Sequence, residues 1–204
     1  MGGQADKAIS RAGWHGLARR SRSPNFDARP DGMAIELIVV HNISLPPGQF
    51  FGGAVEQFFR NQLQPTTHPF FASIASLRVS THFFIRRSGE LVQFVSTENR
   101  AWHAGTSYWN GRTRCNDFSV GVELEGSDAT AFTAGQYRCL SALTKTLVLR
   151  YPSITAVAGH ADIAPGRKTD PGPRFDWSRY LAETGLPQGF RNARVLSTAK
   201  RVSG

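Results

Sequence analysis

Ile35, Glu36, Leu37, Ile38, Val39 and Val40 form a β-branched and almost wholly apolar run, the pattern of a strand covered on both faces. The run gives way at His41-Asn42, and Pro46-Pro47-Gly48 then excludes regular structure. Val55, Phe58, Phe59 and Leu63 recur at helical spacing. Residues 81–87 and 91–95 read as two strands joined by the tight turn Ser88-Gly89-Glu90. In a further strand over 118–125, Val120, Val122 and Leu124 share one face while Gly121, Glu123 and Glu125 share the other. Thr133-Ala134-Gly135-Gln136 matches a capping box, and Tyr137, Leu140, Leu143, Leu147, Val148 and Tyr151 follow on one helical face. Pro152 ends that helix, a short apolar segment over 154–158 leads to Gly159-His160, and a loop rich in Pro and Gly runs to Pro173 before a last short helix over 176–183. No repeat and no second core emerge, so the pattern predicts a single α/β (α+β) domain, a central mixed β-sheet flanked by helices.

Among the 204 residues, no apolar run reaches the roughly 18 to 20 residues of a membrane span. Two cysteines, Cys115 and Cys139, allow at most one disulfide and suit a reducing compartment. The formal charge of +9 invites a nucleic-acid reading, but it sits mostly at the two ends. Residues 1–32 form a basic N-terminal arm leading into the domain, residues 33–184 a nearly neutral body that is the domain itself, and residues 185–204 a basic, flexible C-terminal tail without sustained periodicity. A neutral body argues against a dedicated nucleic-acid groove. The first 32 residues hold no apolar stretch of signal-peptide length, so the expectation is a cytoplasmic monomer that engages neither membrane nor specific nucleic acid.

His41 ends one buried strand and His160 ends another, and ligands of open α/β sheets collect beyond strand carboxyl ends. The loop after His160 holds Asp162, Arg167, Lys168 and Asp170 among rigid or turn-forming residues. Two imidazoles and one carboxylate make a common open zinc site, with a fourth position left to water. Composition alone does not choose between Asp162 and Asp170. Glu123 and Glu125 project to one side of their strand, and spacing does not say which is the better base. His68, His82 and His103 read as structural or as outer partners of a metal-bound imidazole, and His15 as solvated.

Residues 39–48, the segment Ala101-Trp102-His103-Ala104-Gly105, residues 114–119, residues 121–126 and residues 159–173 together resemble the zinc-dependent N-acetylmuramoyl-L-alanine amidases. The likeness is greatest to the branch that acts in the cytosol on 1,6-anhydro-N-acetylmuramyl peptides during cell-wall recycling. The resemblance implies an amidase-2, peptidoglycan-recognition-like fold, with one Zn²⁺ per chain held by His41, His160 and Asp170. It implies Glu123 as general base and Lys168 as the stabiliser of developing negative charge. It also implies substrate contacts from Asn42, Arg78, Trp102, Arg114 and Asn116, with an anhydromuropeptide as substrate. Zinc would polarise the scissile carbonyl and lower the pKa of a bound water towards ~7. The rival readings are an exported or phage-type amidase acting on intact wall, a muropeptide-binding module without catalysis, and a nucleic-acid binder.

Overall fold

The computed structural model describes residues 8–191. Its strands are β1 (Arg19–Arg20), β2 (Phe26–Ala28), β3 (Leu37–Ile43), β4 (Phe83–Ile85), β5 (Leu91–Gln93), β6 (Asn99–Ala101), β7 (Tyr108–Trp109), β8 (Arg112–Thr113), β9 (Ser119–Glu125) and β10 (Ala156–Gly159). Its helices are α1 (Ala54–Phe59), α2 (Pro69–Ile74), α3 (Ala134–Arg150), α4 (His160–Ile163) and α5 (Trp177–Thr184).

Six strands build one mixed sheet in the order β1-β5-β4-β9-β3-β10. Strands β4, β9, β3 and β10 are mutually parallel, and β5 is antiparallel to β4, as the hairpin pattern predicts. In its turn, Arg86 N–H donates to the Glu90 carbonyl and Gly89 takes φ +90°, a left-handed conformation that favours glycine. The apolar strand runs further than its pattern predicts. It continues through His41 and Asn42 to Ile43, because β9 pairs with it from Leu37↔Ser119 to Ile43↔Glu125. A central strand with partners on both sides carries polar residues where backbone pairing persists.

One sheet face, presenting Ile38, Val40, Val120, Val122 and Leu124, packs on Tyr137, Leu140, Leu143 and Leu147 of α3 and on Tyr180 and Leu181 of α5. The α3 start is the predicted capping box: Thr133 Oγ1 accepts from Gln136 N at 3.1 Å, and Gln136 Oε1 accepts from Thr133 N at 3.0 Å. Helix α1 stops at Phe59 instead of reaching Leu63, because Asn61 turns the chain at φ +58°. A second apolar group, with Leu45, Val55, Phe58, Phe59, Phe71 and Phe84, lies beside the cleft.

Residues 8–32 are packed into this body. Strand β1 extends the sheet beside β5, and Ile9 reaches the core. Arg29 is largely buried and donates to the carbonyls of Thr97, Asn116, Asp117 and Ser119. His15, expected to be solvated, is instead buried at 6% exposure. Its ring meets Phe83 edge-on and its backbone N–H donates to Gln93 Oε1 at 2.8 Å. Of the basic tail, residues 188–191 form a 3₁₀ turn, and residues 192–204 lie outside the described residues.

Candidate metal and catalytic site

Parallel pairing carries the site. On the sheet face away from α3, Gly121 and Glu123 of β9 stand beside Val39 and His41 of β3, and Ala158 of β10 stands beside Val39. His160, two residues beyond Ala158, falls on that same face next to His41. The carboxyl ends of three adjacent strands therefore set Glu123, His41 and His160 in a row, with neighbours about 4.8 Å apart. Asp170 comes from the loop after α4 and completes the group.

His41 Nδ1 lies 2.9 Å from His160 Nδ1, and Asp170 Oδ2 lies 3.2 Å from the first and 3.1 Å from the second. Ligand atoms of all three lie within 4.8 Å of one another. His160 Nε2 donates to the Ala104 carbonyl at 3.1 Å, and His41 Nε2 lies 3.0 Å from His103 Nδ1. If each Nε2 keeps its hydrogen, both Nδ1 lone pairs face the same point. Two lone pairs at 2.9 Å repel unless a cation lies between them, and tetrahedral zinc spaces its ligand atoms about 3.3 Å apart. The donor set therefore fits a small divalent ion of zinc type.

Beside the trio, Glu123 is buried and its Oε2 has no hydrogen-bond partner. Burial, and then the negative charge of Asp170, push its pKa well above the usual carboxylate value, partly opposed by Lys168. Burial alone would raise Asp170, but the imidazoles of His160 and His41 beside it hold it below the usual range. His41 is pushed down to about 4 by burial, with the neighbouring His160 adding to the effect. Glu125, the alternative base, is committed elsewhere: it accepts from Phe51 N at 2.5 Å and Arg87 N at 2.8 Å. Asp162 is likewise committed, accepting from Gly159 N and pairing with Arg191 at 3.0 Å. In each of the two pairs that spacing left open, one acid is thus hydrogen-bonded away from the imidazoles.

A cavity of about 650 Å³ opens above this group. Lys168, Asn42 and Trp102 line it with Glu123 and Asp170, and Phe58, Phe70, Ile74 and Leu77 form an apolar wall. The other predicted contacts are placed differently. Arg78 lies on the surface between the lining residues Leu77 and Val79, with its guanidinium on the carbonyls of Ala75 and Leu77. Arg114 is exposed and pairs with Asp117 at 3.1 Å. Asn116 lies below the cavity, where its Oδ1 accepts from the backbone N–H groups of His103 and Ala104. Asn42 donates to Asp128 Oδ1 at 2.7 Å and to the Pro171 carbonyl at 3.0 Å. Trp102 donates its indole N–H to Asp27 Oδ1. Arg167 donates to the carbonyls of Ala104 and Thr106. Asp128 was missed altogether, since a single acid after a strand carries no pattern. Cys115 is buried, with its thiol pKa raised by burial, which suits packing and not nucleophilic attack.

A sheet of this order with a His-His-Asp group at its parallel carboxyl ends defines a hydrolase of the amidase type, and residues 31–173 match the N-acetylmuramoyl-L-alanine amidase family. The chain belongs to that family. It is 56% identical over 169 residues to the 1,6-anhydro-N-acetylmuramyl-L-alanine amidase AmpD of Escherichia coli strain K12, covering 82% of this chain and 92% of the relative. It is 55% identical to the AmpD of Salmonella typhimurium strain SL1344, covering 85% and 94%. A crystal structure of a selenomethionine AmpD derivative superposes with a TM-score of 0.83 at 55% identity, covering 84% of this chain and 97% of that one. Among the described residues, no helix is long and apolar enough to cross a membrane.

Proposed function

We infer that this chain hydrolyses the amide bond between the lactyl group of a 1,6-anhydro-N-acetylmuramyl sugar and the L-alanine of the attached peptide. The observation that carries the reading is the convergence of His41, His160 and Asp170 beside the buried, unpartnered Glu123 on one cavity floor. The names of its AmpD relatives supply the substrate class.

His41, His160 and Asp170 would hold Zn²⁺, which supplies carbonyl polarisation and an acidified water when bound. Glu123 takes the proton of the attacking water on its carboxylate and returns it to the alanine nitrogen as the C–N bond breaks. Its burial and the nearby Asp170 charge favour holding that proton between the two transfers. Lys168, on the cavity wall, offsets negative charge growing on the scissile oxygen. Trp102 presents an aromatic face to the sugar. Arg78 and Arg114 stand outside the cavity lining and reach stem-peptide carboxylates only at its rim. Two free cysteines, Cys115 and Cys139, suit the reducing cytoplasm of a recycling enzyme.

Mass-resolved product analysis of a soluble anhydromuropeptide tests the reading. Release of the intact stem peptide, abolished by chelator and restored by Zn²⁺, is the expected result. Release that ignores chelator, or binding without cleavage, would refute it. Comparable turnover of insoluble sacculi would instead favour an amidase of intact wall.

A further inference from the structure

A chain of hydrogen bonds leads away from the candidate metal position through residues that the proposed chemistry does not use. Ser119 Oγ donates to the Cys115 carbonyl at 2.6 Å, so its oxygen is left as an acceptor. His103 Nε2 lies 3.3 Å from that oxygen, and His103 Nδ1 lies 3.0 Å from His41 Nε2. A carbonyl only accepts, and this fixes every hydrogen in the series. Ser119 gives its hydrogen to Cys115, His103 carries its own on Nε2, and His103 Nδ1 must accept from His41 Nε2–H. The remaining lone pair, on His41 Nδ1, points at His160 Nδ1 and Asp170.

The His103 ring is held in this pose from three sides. Asn116 Oδ1 anchors its backbone N–H at 3.1 Å. The ring meets His41 edge-on, with centroids 5.0 Å apart. It also lies over Gly121, where any Cβ would collide with it, so the absent side chain of β9 makes its seat.

We propose that His103 is a positioning residue, which with Ser119 fixes the Nε2–H tautomer and ring orientation of His41 so that Nδ1 is free to bind the metal. This rests on the metal reading above, and the experiment separates the two. Asparagine places Oδ1 where histidine has Nδ1, whereas leucine of similar size places a methyl group there. His103→Asn and His103→Leu both vacate the space over Gly121, and only the first keeps an acceptor for His41 Nε2–H. Zinc affinity is measured on the full chain by competition with a fluorescent chelator, alongside melting of the metal-free proteins.

His103→Leu should bind zinc about 10- to 100-fold more weakly than the unmodified chain, while His103→Asn stays close to it. Equal affinity in all three proteins, or an equal loss in both variants, would overturn the proposal. Should His103→Leu fail to fold, long-range ¹H–¹⁵N spectra of the unmodified metal-free chain decide. Nε2–H tautomers at both His41 and His103 support the proposal, and an Nδ1–H tautomer at either overturns it. An unmodified chain that takes up no zinc would sink the metal reading, while these spectra still test the order of the hydrogen bonds.

Discussion

Glu123→Gln should stabilise the metal-free protein while destroying its activity. The carboxyl is largely buried with its Oε2 unpartnered, and burial beside Asp170 raises its pKa well above the ordinary value of 4.5. Between that ordinary value, which the unfolded chain retains, and the raised native value, the native state binds a proton that the unfolded state has lost. Stability contributed by this group is therefore complete below about pH 4.5 and declines as pH rises towards the native pKa. One titrating group gives a slope of at most about 1.4 kcal/mol per pH unit. Glutamine keeps the shape and has no charge to bury. Urea unfolding of chelator-treated wild type and variant at pH 5, 6 and 7 measures the effect. The difference should grow with pH in favour of Glu123→Gln, because the other titrating groups are present in both proteins. Added zinc should narrow the gap, since a nearby cation favours the ionised carboxylate. Unfolding free energies that run parallel with pH would refute the reasoning and place Glu123 in contact with water.

Asp170→Ala should abolish turnover and zinc retention, measured by product analysis and metal content. Asp162→Ala should leave most turnover and cost about 1 kcal/mol, the scale of losing the Gly159 N–H contact and a partly exposed pair with Arg191. The reverse ranking would show the ligand assignment to be wrong. Thr133→Ala removes half of the reciprocal cap on α3 and should also cost about 1 kcal/mol, read as a fall of about 2–4 °C in melting temperature with kcat unchanged.

What the sequence made legible was local. The α3 helix is specified by a cap and an apolar face contained within its own residues, so its bounds follow from pattern alone. The β3 strand is not: its last polar residues are held by β9, whose pairing partners lie some eighty positions away, and no local signal records that. The same limit governed the site. Alternation placed Glu123 and Glu125 on one face. What separates them is that Phe51 and Arg87, from two distant loops, reach Glu125 and leave Glu123 free. Asp170, and not Asp162, lies within reach of both imidazoles, while Gly159 and Arg191 occupy the nearer acid, again a matter of packing. Arg29 lay within a basic stretch indistinguishable from a solvated arm, and only folding reveals four carbonyls waiting for its guanidinium.

Those four carbonyls bear on the chemistry. Arg29 holds the Asn116 carbonyl while Asn116 Oδ1 holds the backbone N–H groups of His103 and Ala104, so one partly buried cation braces the turn that carries His103 and the Ala104 carbonyl. His103 accepts at His41, and the Ala104 carbonyl accepts from His160. Both imidazoles are thus oriented from a single turn, while their backbones are set by neighbouring parallel strands. Asp170 alone comes from a loop. That loop is tied back by Ala161 N–H on the Asp170 carbonyl and by Asn42 on the Pro171 carbonyl. Asn42 immediately follows His41 on β3, so the strand that supplies one candidate ligand also restrains the segment that supplies another. The sheet and its bracing turn thus hold the two imidazoles, while the tied-back loop holds Asp170 and places Lys168 on the cavity wall beside it.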